Sequence, residues 1–109
     1  MEIVMNGTTR EVKFTYNSFK YLEEFSFKEI GELEDKPFKL IAIVRQLLIG
    51  GLNHDPKILV RPIEVDKYVE EITEDGTIAE MLEPIIKELE NSGFFKALQS
   101  KETPKKTRK

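Results

Sequence analysis

His54 next to Asp55 places a titratable nitrogen base beside a carboxylate, and His54 is the only histidine in the chain. Such a pair could be half of an acid–base device. A general base also needs a pocket and a partner aligned on a substrate. The pair falls in a loop just before Pro56, where a solvated turn is the ordinary outcome. Metal binding has less to offer, because cysteine is absent and nothing supplies a second nitrogen or sulfur ligand. Glu23-Glu24, Glu32-Glu34-Asp35, Glu70-Glu71-Glu74-Asp75 and Glu88-Glu90 are clusters of the kind that hold cations or cleave glycosides. They follow helical spacing and lack the calcium-loop pattern, so they read as wet helix faces. Gly50-Gly51 lacks the flanking glycine and lysine of a phosphate loop and reads as a helix end. No catalytic, cofactor or metal set emerges, and the residue types fit a protein that binds rather than reacts.

The elements that would position a binding surface are written in the apolar spacing. Ile3-Val4-Met5, Asn6-Gly7 and Thr8 to Phe14 spell a strand, a tight turn and a second strand. Asn-Gly favours this because the two-residue hairpin turn needs φ > 0 at both central positions. With that loop, Met5 faces Thr8, Ile3 faces Arg10 and Met1 faces Val12, so Met1, Ile3, Met5, Val12 and Phe14 share one face. Arg10 is awkward there, although its stem can lie over apolar neighbours. Glu2 opposite Glu11 is mildly unfavourable, and a four-residue loop would pair Glu2 with Lys13 instead, but the shorter loop is the expected one.

After Tyr16 the period lengthens to three and four. Asn17 is the expected N-cap of a first helix with Phe19, Leu22 and Phe25 buried and Tyr21 beside them. Ser26-Phe27-Lys28-Glu29 matches a capping box, and residues 26–36 read as short helix or loop with Phe27, Ile30 and Leu33 inward. Asp35 and Pro37 are expected to open a central helix, apolar on nearly every side from Leu40 to Leu52, with Gly50 and Gly51 ending or fraying it. Pro62 opens another helix with the stripe Val65, Tyr68, Val69 and Ile72, closed by Gly76. Thr77-Ile78-Ala79-Glu80 is a second capping box. A last long helix follows with Ile78, Met81, Leu82, Ile85, Ile86 and Leu89 inward, kinked or restarted at Pro84. Gly93 breaks it before an apolar turn of Phe94, Phe95 and Leu98. The expected fold is α+β and mostly α. A hairpin over residues 2–15 packs on about four to five helices over 17–100, in one domain of residues 1–100.

Charge separates the body from its end. Residues 101–109 hold five cations against Glu102, a net of +4, so residues 1–100 carry −7 of the chain's −3. An acidic body is a poor nucleic-acid platform, since phosphate neutralisation supplies most of that affinity. The basic end reads as a disordered solubilising tail. No apolar run reaches the roughly 20 residues of a membrane span, no signal peptide is legible, and the lack of cysteine suits the cytoplasm.

Two features stand out for binding. The central helix is apolar on nearly every side: core is its ordinary reading, and a face shared with a second copy or a partner is the alternative if a small chain leaves part of it uncovered. Phe94-Phe95, just before the basic end, either fold back onto the core or serve as aromatic anchors of the kind that dominate interfaces. On the expectation that Gly50-Gly51 and Gly93 leave their surroundings mobile and incompletely covered, the candidate partner-binding residues are Leu48, Leu52, Phe94, Phe95 and Leu98.

The order of elements resembles a known family. The Asn-Gly hairpin of Ile3 to Phe14 leads into the aromatic segment Phe19-Lys20-Tyr21-Leu22-Glu23-Glu24. A Leu/Ile helix ending near Gly51-Leu52 is followed by the Pro62 to Val65 helix start. Ile85-Ile86-Lys87-Glu88-Leu89 and Asn91-Ser92-Gly93-Phe94-Phe95 close the match, which runs from residue 1 to about 98. This pattern resembles the tail assembly chaperones of long-tailed phages and prophages of Gram-positive bacteria, with Arg10 a small departure on the hairpin face. The resemblance implies a non-enzymatic protein of the host cytoplasm, absent from the mature virion. It would bind the helical tape measure protein, keep it soluble and help recruit tail tube subunits. The family often adds a longer frameshifted form, for which the Lys105-Lys106 region is where slippery codons could sit. The competing reading is a small regulatory or nucleic-acid-binding protein that uses the basic end.

No cofactor is expected. The absence of ligand partners for His54 predicts that zinc titrated into the protein binds weakly, and that His54→Ala leaves the isotherm unchanged. Stoichiometric tight binding abolished by that substitution would contradict the reading.

Overall fold

The structure, a computed structural model, describes residues 1–23, 25, 28–93 and 95–96. Its order is strand β1 (Glu2–Met5), strand β2 (Thr8–Glu11) and helices α1 (Tyr16–Phe19), α2 (Lys28–Gly31), α3 (Lys39–Leu52) and α4 (Pro62–Glu74). A 3-10 turn (Thr77–Glu80) and helix α5 (Leu82–Glu90) complete it. The fold is α+β, mostly α, with the hairpin laid on the helices.

The Asn-Gly turn behaves as its chemistry requires. Asn6 has φ 54° and Gly7 φ 80°, both left-handed, so the loop holds two residues. The register follows: Met5 pairs with Thr8, Ile3 with Arg10 and Glu2 with Glu11. Val12 continues the pairing by donating its N–H to the Met1 carbonyl at 2.7 Å. Ile3, Met5, Val12 and Phe14 are buried on the inner face, and Met1 packs against the same core.

Helix α3 is the hub. It touches β2, α1, α2, α4, the 3-10 turn and α5. Its buried face comprises Ile43, Val44, Leu47, Leu48, Gly50, Gly51 and Leu52. Gly50 and Gly51 do not end this helix, contrary to the expectation from sequence, but form its closest contacts. A Cβ on Gly51 would lie 2.5 Å from Val12 Cγ1 and 3.1 Å from Phe14 Cζ. A Cβ on Gly50 would lie 2.9 Å from Leu22 Cγ. The Gly51 carbonyl also accepts the Lys13 N–H at 3.0 Å. Glycine is unfavourable inside a helix by about 1 kcal/mol relative to alanine. Here that cost is offset by letting the chain leaving β2, and Leu22 after α1, sit directly on the helix backbone.

Asn53, which caps α3, is fully buried. Its Oδ1 accepts the Val60 N–H at 2.8 Å, while Nδ2 donates to the Val60 carbonyl at 3.0 Å and the Ile49 carbonyl at 2.8 Å. The amide thus serves both backbone groups of Val60 as a strand would, and folds the 53–61 connector onto the end of α3. Asn17 adds a bond from its Nδ2 to the Asn53 carbonyl at 2.9 Å.

Asn17 is therefore not the N-cap of α1. Thr15 is, in a reciprocal box with Ser18. Ser18 N–H reaches Thr15 Oγ1 at 3.4 Å, and Thr15 N–H reaches Ser18 Oγ at 3.0 Å. Helix α1 is a single turn. Phe19, its last residue, is partly buried against the core; beyond it Leu22 is buried, Phe25 partly buried and Tyr21 exposed. Ile30 and Leu33 also pack on the core, whereas Phe27 lies outside the described residues. Phe38, not Asp35 or Pro37, flanks the first turn of α3.

Downstream, Pro62 opens α4 and the stripe Val65, Tyr68, Val69 and Ile72 is buried as its spacing dictates. Gly76, with φ 85°, closes α4. Thr77 does not cap the next segment. Its N–H and hydroxyl both donate to Asp75 Oδ1, at 2.9 and 2.7 Å. That Asx turn leads into the 3-10 turn. The helix restarts at Leu82, which places Pro84 in the first turn of α5, where a missing N–H costs nothing. Helix α5 ends at Glu90 with Asn91 as its C-cap, ahead of Gly93.

Gly51→Ala should destabilise the protein by about 1–3 kcal/mol despite alanine's better helix propensity. Combining it with Val12→Ala should cost less than the sum of the two single changes in urea unfolding. Additive or stabilising behaviour would mean the close approach is not tight.

Candidate functional site

Packing decides which sequence candidates can meet a partner. Leu48 is 0% exposed and Leu52 1%, so neither is available as a surface anchor, which corrects the expectation for them. The glycines beside them were expected to loosen the helix end, but they let the hairpin and Leu22 close over it. Phe95 is half-buried against the core, with its N–H donated to Ser92 Oγ at 3.1 Å. Phe94, Leu98 and the basic end 101–109 lie outside the described residues.

His54 and Asp55 both take part in hydrogen bonds. Asp55 Oδ1 accepts the Lys57 N–H at 2.9 Å, an Asx turn that shapes the connector. The His54 carbonyl accepts the Thr15 hydroxyl at 2.6 Å. A cavity of about 220 Å³ lies between β2 and this connector, lined by Thr9, Arg10, Glu11, Leu52, His54 and Ile58. Arg10 reaches across to Glu64 at 3.8 Å, and its buried Nε has no hydrogen-bond partner. This resolves only partly the conflict of placing arginine on the apolar face of the hairpin.

The uncovered part of the hub helix is its beginning, not its end. Phe38 is 86% exposed and Ile41 38%, and both lie on the outer side where α3 starts. Helix α4 runs back along α3, so that Arg45 meets Asp66 and Ile41 lies beside Val69 and Thr73. Between them is an open groove of about 310 Å³ lined by Ile41, Arg45, Asp66, Val69, Glu70, Thr73 and Glu74. At the start of α4, one turn before Asp66, Ile63 is 72% exposed. The groove thus has an apolar floor, with large exposed apolar side chains on both of its helices.

Its polar crossing is the Arg45–Asp66 pair. Arg45 Nε donates to Asp66 Oδ1, and Nη2 lies 3.4 Å from Oδ2. Hydrogen bonding to Arg45, with its charge, holds the Asp66 carboxyl below the usual range and pushes the Arg45 guanidinium up. Lys39 does the same for Glu32, which it contacts at 2.8 Å, and hydrogen bonds from Thr77 lower Asp75. Burial raises the Tyr68 phenol, with Asp75 and Glu71 adding to the effect. The shifts at Asp66, Glu32 and Asp75 thus come from ion pairs and turn bonds, and that at Tyr68 from burial. Among the described residues, no group of His, Cys, Asp and Glu is arranged to hold a metal ion, and no helix is long and apolar enough to cross a membrane. Neither a family model, nor a curated protein, nor a solved structure matches this chain.

The sequence showed that α3 has apolar surface to spare, but not which end keeps it. That depends on the glycine contacts, which are tertiary. Exposed apolar residues next to a helix start, Phe38 and Ile63, were the available signal.

The carboxylates of Asp66, Glu32 and Asp75 ionise more readily in the folded state, so protonation favours the unfolded chain. Their stabilisation is present above the unfolded value near pH 4 and is lost as pH falls through the lower folded values. The melting temperature should therefore drop on acidification below about pH 4. Asp66→Asn should reduce that drop while costing less than about 1 kcal/mol at neutral pH, as exposed pairs do. An acid limb unchanged by Asp66→Asn would show that the pair does not contribute.

Proposed function

We propose that this protein is a tail assembly chaperone: a non-catalytic helical domain that binds the tape measure protein of a long-tailed phage, keeps it soluble and helps bring tail tube subunits to it. The observation that carries the reading is the α3–α4 groove lined by Ile41 and Val69, together with the exposed apolar side chains of Phe38 and Ile63 at the starts of its two helices. A rigid two-helix groove with an apolar floor suits an amphipathic helix laid along it. A tape measure chain consists of long helices whose apolar faces aggregate when alone, so a small acidic domain that covers them also lends the complex its charge. The resemblance in element order over residues 1 to about 98 supports the same reading. The work is done in the host cytoplasm before the tail is complete.

Co-expression with the tape measure protein encoded nearby tests this. Wild type should hold that partner in the soluble fraction and co-purify with it. Phe38→Ser/Ile63→Ser should keep its circular dichroism, because exposed substitutions change stability by only about 0.5 kcal/mol, yet lose most of the solubilising effect. Failure of the wild-type protein to bind or solubilise the partner would contradict the chaperone reading.

A further inference from the structure

We propose that the α3–α4 groove is the seat of an amphipathic helix whose apolar stripe is flanked by lysine and arginine. The inference rests on the chaperone reading for its biology, but its argument is the charge of the groove itself. Asp66, Glu70 and Glu74 stand at successive i,i+4 positions of α4, in one row along the groove's rim. Like charges at that spacing destabilise a helix. Asp66 is compensated by Arg45 across the groove. Among the described residues, no cation pairs with Glu70 or Glu74. Among the described residues, then, Glu70 and Glu74 are two exposed carboxylates of one sign beside a lining that includes Ile41 and Val69.

A bound helix would bury its apolar stripe on Ile41 and Val69, with Phe38 and Ile63 meeting its outer turns. Its lysines or arginines would stand over Glu70 and Glu74, relieving the repulsion of the row. An occupant with acidic flanks would add to that repulsion, so the groove discriminates by charge as well as by shape. The groove's lining on α4 runs from Asp66 to Glu74, about 12 Å of helix, enough for two to three turns of an occupant.

The test uses the full chain and two synthetic peptides of about 15 residues, matched to the length of α4. Both carry the same leucine stripe, one with lysine flanks and one with glutamate flanks. Wild type should bind the lysine peptide at least about tenfold more tightly than the glutamate peptide, a preference that weakens as salt rises. Amide shifts on binding should concentrate at Ile41, Val69 and Thr73. Glu70→Lys/Glu74→Lys should reverse the preference. Glu2→Lys/Glu11→Lys changes the net charge equally but sits on the hairpin, and it should shift affinity by less than about twofold. Equal effects of the two double variants, equal binding of the two peptides, or amide shifts away from the groove would overturn the proposal. Concentration-dependent dimers abolished by Ile41→Asp would also overturn it, by making a second copy of the chain the occupant. Loss of the peptide preference with an intact solubilising effect in co-expression would sink this inference alone. Loss of the solubilising effect with the preference intact would sink the chaperone reading and leave the groove's charge selectivity standing.

Discussion

The close approach of the chain to Gly50 and Gly51 is the contact on which the rest of the arrangement depends. Two residues without side chains let Val12 and Phe14 rest on one turn of α3, and Leu22 on the same stretch of helix. The Lys13 N–H bond to the Gly51 carbonyl fixes the height at which the hairpin crosses. A two-stranded hairpin is marginal by itself, so its order comes from this docking.

The two ends of α3 differ in exposure. The last half of α3 is enclosed by the hairpin, α1 and the Asn53-centred connector, and Leu48 and Leu52 are sealed inside. Near its start, Phe38 and Ile41 remain open, Ile41 in the groove shared with α4. The excess apolar character of this helix has a structural account: Ile43, Val44, Leu47, Leu48 and Leu52 are core, while Ile41 lines a groove. The acidic row of α4 then gives that groove a sign.

The sequence disclosed the local features more fully than the tertiary ones. Asn6-Gly7 dictated the turn, the register and every inward residue of the hairpin, because loop length and a period of two leave little freedom. The stripe of α4 and its closure at Gly76 were legible for the same reason, as was the restart at Pro84. The glycine pair was not, since a helix-ending glycine and a glycine that admits a neighbour look alike in one dimension. Asn53 and Thr15 were missed because their roles are bonds to Val60, Ser18 and His54, set by the fold rather than by spacing alone. The misplacement of the candidate surface at Leu48 and Leu52 descends directly from the misread glycines.

The central claim is that the open start of α3 with α4, and not its glycine end, meets the partner. The most direct measurement is site-specific photo-crosslinking in cells that co-express the tape measure protein. A photoreactive phenylalanine analogue replaces Phe38, and in a separate variant it replaces Val4 on the outer face of the hairpin, which is also exposed. The account predicts an adduct with the tape measure protein from position 38 and none above background from position 4. A strong adduct from position 4 with none from position 38 would contradict it.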